Sequence, residues 1–258
     1  MKQEQNLLQI IAGNSGRFIS LILLMVIAFA VAYVAEKIAL RRDLKEGKKV
    51  EGILTPRKMA IIGVFSAISF VLMLIEFPLP IAPSFYKFDF SDIAALIVGF
   101  AAGPFAGVMV EFIKVTLNVL IQGTTSAFVG EIANFVIGAS FVMVASIVYR
   151  FKKTRNTALI GCLLATLFIA FIGAFLNAYF MIPAYALMFG GVENIIRAGT
   201  EIYPFVDNVF TFCLVCVAPF NLVKGIVHSA VTFLIYKQLS PILKFEPMQS
   251  VKKSAVTS

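Results

Sequence analysis

Residues 209–236 read "VFTFCLVCVAPFNLVKGIVHSAVTFLIY". A hydrocarbon core about 30 Å thick takes roughly 20 apolar residues of helix to cross, and this run exceeds that length. Within it Asn221 and Lys224 stand three residues apart. An ion at bilayer depth costs about 2.5–3.5 kcal/mol on insertion scales and marks a functional position by default. The run therefore predicts a membrane helix that carries polar groups for a purpose.

The rest of the chain has the same character. Of its 258 residues 60% are hydrophobic and 14% charged, with a mean hydropathy of +0.93, far from the composition of soluble domains. The reading is an all-α polytopic membrane protein. Seven apolar spans are predicted: Phe18 to Ala35, Met59 to Glu76, Phe90 to Ala102, Pro104 to Ile121, Phe128 to Tyr149, Ala158 to Met181 and Val206 to Tyr236. The third is short for a bilayer and is expected to lie partly inside protein or to tilt with its neighbour. Gly103-Pro104 separates it from the fourth, because proline has no N–H to give the preceding turn. The first span offers the small residues of a cleavable signal at Ala30-Val31-Ala32. Cleavage there leaves a strongly basic stretch as the new terminus, so an uncleaved helix is preferred.

This gives an extra N-terminal transmembrane helix at 1–35, a basic cytoplasmic linker at 36–58, a six-helix substrate-binding core at 59–240 and a cytoplasmic tail at 241–258. No internal repeat is visible. Of the 22 Lys and Arg, eight lie between the first two spans, four at 150–155 and four after the last span, against four at the opposite ends. The positive-inside bias places those three segments in the cytoplasm, with the N-terminus outside and the C-terminus inside the cell membrane. A net charge of +8 is thus explained by topology, without nucleic acid as a partner.

Cys162, Cys213 and Cys216 sit in apolar sequence and describe no disulfide framework. Cys213 and Cys216 spell C-x-x-C, but without a second pair or a histidine cluster they read as small hydrophobes, not metal ligands. The chain lacks G-x-x-x-x-G-K-[ST], H-E-x-x-H and G-x-S-x-G. No catalytic residue, metal or cofactor is expected, a lipid-modifying enzyme is the weakest reading, and active transport needs an energised partner.

The ionisable groups within the spans are Glu111, Lys114, Glu131, Lys224 and His228, with Asp89, Asp92 and Asp207 near span ends. Glu111 and Lys114 are three apart and placed to neutralise each other. Asp89 and Asp92 open the third span, where carboxylates suit the positive end of a helix dipole. His228 reads as a hydrogen-bonded packing residue, and Glu131 and Asn134 face either a cavity or a neighbouring helix. Lys224 has no acid at helical spacing on its own helix. It pairs across helices with Glu111 or Glu131, snorkels, or serves a ligand.

Pro219 interrupts the helix just before Asn221 and Lys224, and Asn177 is likewise followed by Pro183. Irregular backbone at membrane depth is tolerated where it lines a cavity. Two amides and a cation beside disturbed helices suggest one pocket. An amide offers donor and acceptor in one plane, which suits a heterocycle edge alternating carbonyl and N–H, and an ammonium suits an electron-rich carbonyl or ring nitrogen.

The run "IEFPLPIAPSFYKFDFSDIAALIVGFAAGPFAGVMVEFIKVTLNVL" (75–120), with "GEIANFVIG" (130–138) and "NLVKG" (221–225), closely resembles the riboflavin-specific S components of energy-coupling factor (ECF) vitamin transporters. The likeness covers about residues 58–240, and F-P-L-P, D-F-S-D-I and G-P-x-A-G-V in that order carry it. It implies a six-helix core with both core ends cytoplasmic. It implies capture of riboflavin from outside, bound as transported substrate, in a pocket covered by the loop Phe77 to Phe88. By resemblance Asn177, Asn221 and Lys224 hold the polar edge of the flavin, and Leu79, Pro80, Ile81 and Phe85 lie over it. The family docks onto a membrane-embedded coupling (T) subunit that carries two ATPase subunits, through small residues on the first core helix. Here "KMAIIGVFSAISF" supplies Gly63 and Ala67, with Ala60 and Val64 as the alternative frame. The N-terminal helix and its linker depart from compact members.

Two other readings remain beside riboflavin import. FMN or another flavin is the first, with Lys87 and Arg197 available for a phosphate. A stand-alone proton-coupled secondary transporter using Glu111, Glu131 and His228 as a relay is the second. Alanine at Asn221 or Lys224 is expected to weaken flavin binding with little loss of folded protein.

Overall fold

A computed structural model describes residues 15–243 apart from 49, 125 and 127, so the predicted tail at 241–258 falls almost wholly outside the described residues. Helix α1 spans Ser15–Lys45 and continues well past Ala35. The stretch after Ala35 is rich in Ala, Leu, Lys and Arg, all good helix formers. Its buried acids meet the core: Arg150 Nη1 lies 2.8 Å from Asp43 Oδ2 and Arg150 Nε lies 3.8 Å from Glu36 Oε1. The first part of the expected linker is therefore a docked helix, and only 46–55 connects it to the core.

Helix α2, Pro56–Met73, starts where the Thr55 hydroxyl accepts the Lys58 N–H at 3.3 Å and Pro56 takes the first turn, where no N–H is missed. A hairpin follows, with β1 (Phe77–Pro78) antiparallel to β2 (Lys87–Phe88). Helix α3 is Ser91–Ala102, α4 is Pro104–Gln122 and α5 is Val129–Phe151. Helix α6, Arg155–Leu176, opens on a reciprocal Thr154–Thr157 cap. It passes through a π-helical turn, Asn177–Met181, into α7, Ile182–Phe189. Helices α8 (Val192–Thr200) and α9 (Val209–Phe212) lead to a second π turn, Cys213–Val217, and α10, Ala218–Leu243.

Among the described residues six helical segments are long and apolar enough to cross a bilayer, and α3 is the short seventh. At about 1.5 Å per residue α3 is roughly 18 Å long, too short to span. It compensates by lying inside protein: α2, α4, α5 and α10 surround it, and all its residues but Ala101 are buried. Gly103, at φ 107°, makes the turn from α3 to α4 in a conformation that favours glycine, and a Cβ there meets the Glu36 carboxylate of α1.

Helix α1 packs on α4 and α5. Leu21, Ala28 and Ala32 share a buried cluster with Val108, Val115 and Phe135, and the Phe29 ring lies 5.4 Å from Phe112 and 5.5 Å from Phe135 between ring centres. Its other face shows Ile19, Leu23, Val26 and Ile27, the surface a membrane helix presents to lipid. The chain is thus a six-helix core with one added helix, as its sequence predicts.

Both π turns precede a proline. Pro183 and Pro219 cannot donate to the carbonyls four residues back. The ladder is carried across by wider bonds, Ile182 N–H to Asn177 O and Ala218 N–H to Cys213 O.

Candidate functional site

A cavity of about 360 Å³ opens between the β1–β2 hairpin, α4, α5 and the two π-turn arms. Asn177, Asn221, Lys224 and Phe85 all line it. Asn177 begins the first π turn and donates through Nδ2 to Gly173 O at 2.8 Å, while Asn221 donates to Val217 O at 2.9 Å. Gly173 serves both amides. Its carbonyl accepts from Asn177, and a Cβ in its place lies 2.7 Å from Asn221 Nδ2, so only glycine leaves room for that side chain.

The hairpin loop reaches the cavity through Phe85, Tyr86 and Lys87. Tyr86 donates its hydroxyl to Asn177 Oδ1 at 2.5 Å, and its ring packs 5.7 Å from Phe220. Burial holds the Tyr86 hydroxyl well above the usual phenol range, so it stays a donor at neutral pH. Leu79, Pro80 and Ile81 do not line the cavity. Leu79 packs into the apolar layer of α7 to α9, the Ile81 carbonyl lies 3.5 Å from the Tyr203 hydroxyl, and Pro80 is exposed.

Beneath the cavity lies a buried ionic network. Asp92 bridges two lysines: Oδ1 is 2.6 Å from Lys114 Nζ and Oδ2 is 3.2 Å from Lys224 Nζ. Lys224 is also 3.5 Å from Asp89 Oδ2. Its partners are therefore the carboxylates at the head of α3, not Glu111 or Glu131. The aspartates do more than favour a helix dipole, because the buried start of α3 faces α4 and α10 at once. Lys114 pairs with Glu111 at 2.6 Å, as their spacing predicts, and donates to Ser91 Oγ at 2.8 Å. His228 is fully buried, with Nε2 at 2.7 Å from Asp89 O and Nδ1 at 3.3 Å from Asp92 Oδ2. Glu131 accepts a hydrogen bond from Ser126 at the cavity wall, and among the described residues no hydrogen bond or ion pair joins it to Glu111 or His228.

Sequence reading missed Tyr86, Asn118 and Gln122, which line the cavity. A signal existed for two of them. Glu111, Lys114, Asn118 and Gln122 recur at intervals of three and four, which puts a polar stripe on one face of α4.

What this arrangement offers a ligand is a slot with amides and an ammonium at one end, amides and a carboxylate on α4 and α5, and aromatic rings from the hairpin. The match with known proteins agrees with that description. A family model described as "ECF transporter, substrate-specific component" covers residues 57–236. The chain is similar to "Riboflavin transporter RibU" of Staphylococcus aureus (strain TCH60), at 32% identity over 198 residues, 77% of this chain and 98% of that protein. It is similar to "Riboflavin transporter FmnP" of Bacillus subtilis (strain 168), at 32% over 193 residues, 72% and 93% of the two chains. A solved S component of a bacterial ECF transporter superposes with a TM-score of 0.58 at 32% identity, over 73% of this chain and 98% of the other. The chain belongs to the substrate-specific components of ECF transporters.

Proposed function

We propose that the protein captures riboflavin from outside the cell and hands it to an ATP-driven coupling module. The observation that carries the substrate is the convergence of Asn177, Asn221 and Lys224 on one cavity, in a chain whose relatives are named riboflavin transporters. The pyrimidine edge of the flavin alternates carbonyl and N–H, which two amides and an ammonium complement. The volume falls in the usual range for small-molecule pockets, about 300–1,000 Å³. Asn118, Gln122, Glu131 and Asn134 at the other side suit the hydroxyls of a ribityl chain.

A phosphate at the ribityl end is less well served. Lys87 is ion-paired with Glu76, and Arg197 does not line the cavity. Riboflavin is therefore preferred to FMN.

Docking of the coupling subunit fits the outer face of α2. Ala60, Gly63, Val64 and Ala67 are exposed along it, and nothing lies within 4 Å of a Cβ placed on Gly63. Small residues four apart let a partner helix approach closely. In this reading the end bearing Arg150, Lys152 and Lys153 faces the cytoplasm.

The test is optical. Protein purified in detergent should quench flavin fluorescence at one flavin per chain, with FMN weaker than riboflavin. Uptake in proteoliposomes should require the coupling subunit and ATPases and persist when a proton ionophore is added. A chain that leaves riboflavin fluorescence unchanged at micromolar concentration overturns the substrate. Uptake that an ionophore abolishes and loss of the ATPases leaves intact overturns the coupling.

A further inference from the structure

We infer that the seam between α1 and the core holds one anionic phospholipid, with an acyl chain in an apolar groove and the phosphate at Arg42. The groove, about 200 Å³, is lined by Ala35, Ile38 and Ala39 of α1 and by Pro104, Ile147 and Phe151 of the core, and it ends at Arg42 and Arg150. Its volume is several times the roughly 30 Å³ share of a water molecule, and its wall offers almost no polar atom to hold water. In a bilayer, hydrocarbon fills such a space.

The groove runs into a second, polar cavity of about 670 Å³ that shares Arg42, Arg150 and Phe151. Six cations line this cavity, the two arginines with Lys48, Lys58, Lys152 and Lys153, against the four carboxylates of Glu36, Asp43, Glu46 and Glu51. Glu36 and Asp43 are engaged by Arg150, and Lys48 takes Glu46 at 2.5 Å. Six cations against four carboxylates leave a formal excess of two positive charges, which complements a phosphodiester.

Arg42 is placed to receive it. Its Nη2 donates to Arg150 O at 3.0 Å and its guanidinium lies 5.6 Å from the centre of the Phe151 ring. Its buried Nε makes no hydrogen bond among the described residues, and its ion pairs are long, 3.6 Å to Glu46 Oε1 and 3.8 Å to Asp43 Oδ1, so a phosphate would share the guanidinium with them. Depth agrees as well. At about 1.5 Å per residue Arg42 lies roughly 35 Å along the helix from Ile19, just beyond a hydrocarbon core about 30 Å thick and therefore at headgroup level.

Half of the site comes from α1, which lies outside the residues the family model matches. The added helix thus brings the lipid site with it.

Native mass spectrometry of the full chain, titrated separately with phosphatidylglycerol and phosphatidylcholine, tests this. The expected result is one retained phosphatidylglycerol, favoured over phosphatidylcholine by roughly five- to thirtyfold, the scale of an arginine or two at an anionic surface. Arg42→Gln should lose about fivefold of that preference, the share of one arginine, and Ala39→Phe, which fills the groove, should retain neither. Should a variant misfold, the thermal shift of the parent chain with each lipid decides, and phosphatidylglycerol must stabilise more. Equal retention of both lipids by the parent, an undiminished preference in Arg42→Gln, or displacement of the adduct by inorganic phosphate alone overturns the inference.

Discussion

Lys224 and Asp92, on α10 and α3, meet at 3.2 Å through Nζ and Oδ2, and the other Asp92 oxygen is held by Lys114 at 2.6 Å. Lys224, proposed above to meet the ligand's polar edge, is therefore also one of two counter-ions to a buried carboxylate pair. Sequence reading expected alanine at Lys224 to spare the fold. The network argues otherwise, because removing one member of a buried ionic cluster leaves uncompensated charge, at about 3–5 kcal/mol. Lys224→Ala should lose both flavin binding and thermal stability in detergent. An unchanged melting temperature would show that the Asp89–Asp92–Lys224 contacts are not formed.

Asn221→Ala separates the two effects. The side chain makes one bond to its own helix, at Val217 O, so its removal should leave the melting temperature within a few degrees of the parent. Flavin groups left without a partner should weaken binding by about 1–3 kcal/mol, roughly five- to a hundredfold. Parent-like affinity in a fluorescence titration removes Asn221 from the site.

Gly173→Ala acts at a distance from any ligand. Its Cβ falls 2.7 Å from Asn221 Nδ2, so the amide must rotate or α6 must shift away from α10. Binding should weaken at least as much as in Asn221→Ala, and the double variant should be no worse than the more severe single one. Additive losses would mean that the glycine acts through something other than the amide.

Tyr86→Phe keeps the ring and deletes the donor that faces Asn177 Oδ1. A loss of about 0.5–1.5 kcal/mol, two- to tenfold in flavin affinity, is expected from the freed amide orientation. Tyr86→Phe binding tighter than the parent would instead show that the hydroxyl competes with the ligand for Asn177.

Gly103→Ala tests the seating of α1. The position combines φ 107° with a Cβ against the Glu36 carboxylate, so both backbone strain and displacement of α1 follow. About 1–3 kcal/mol of strain is expected, with flavin affinity nearly unchanged because the site lies at the other end of the bundle. A melting temperature equal to the parent would mean that α1 is not seated on the α3–α4 turn.

The helical architecture was legible because a bilayer imposes a length and a composition that can be counted. The Glu111–Lys114 pair was legible because both residues sit on one helix at fixed spacing. The partners of Lys224 were not, since nothing local brings Asp89 and Asp92 to it; only the burial of a twelve-residue α3 between α2, α4, α5 and α10 does so. The polar stripe continuing to Asn118 and Gln122 is in the sequence at helical spacing, but no proline stands beside it to mark a disturbed helix, the signal that singled out Asn177 and Asn221. The docking of 36–45 as helix also depended on a distant residue, Arg150, and a run of basic residues between spans reads the same whether it is rigid or loose.

The paired π turns give the binding arms an arithmetic of their own. Each turn carries one residue beyond what an α-helical path takes, and a helix rotates about 100° per residue. Asn221 and Lys224 point where they do because of that surplus, counted from the loop end of the arm. Grafting N-x-x-K onto a regular membrane helix would reproduce the letters and aim them at another neighbour. Deleting one residue from 213–217 would do the same here, so the number of residues in this arm sets where Asn221 and Lys224 point as much as their identity does.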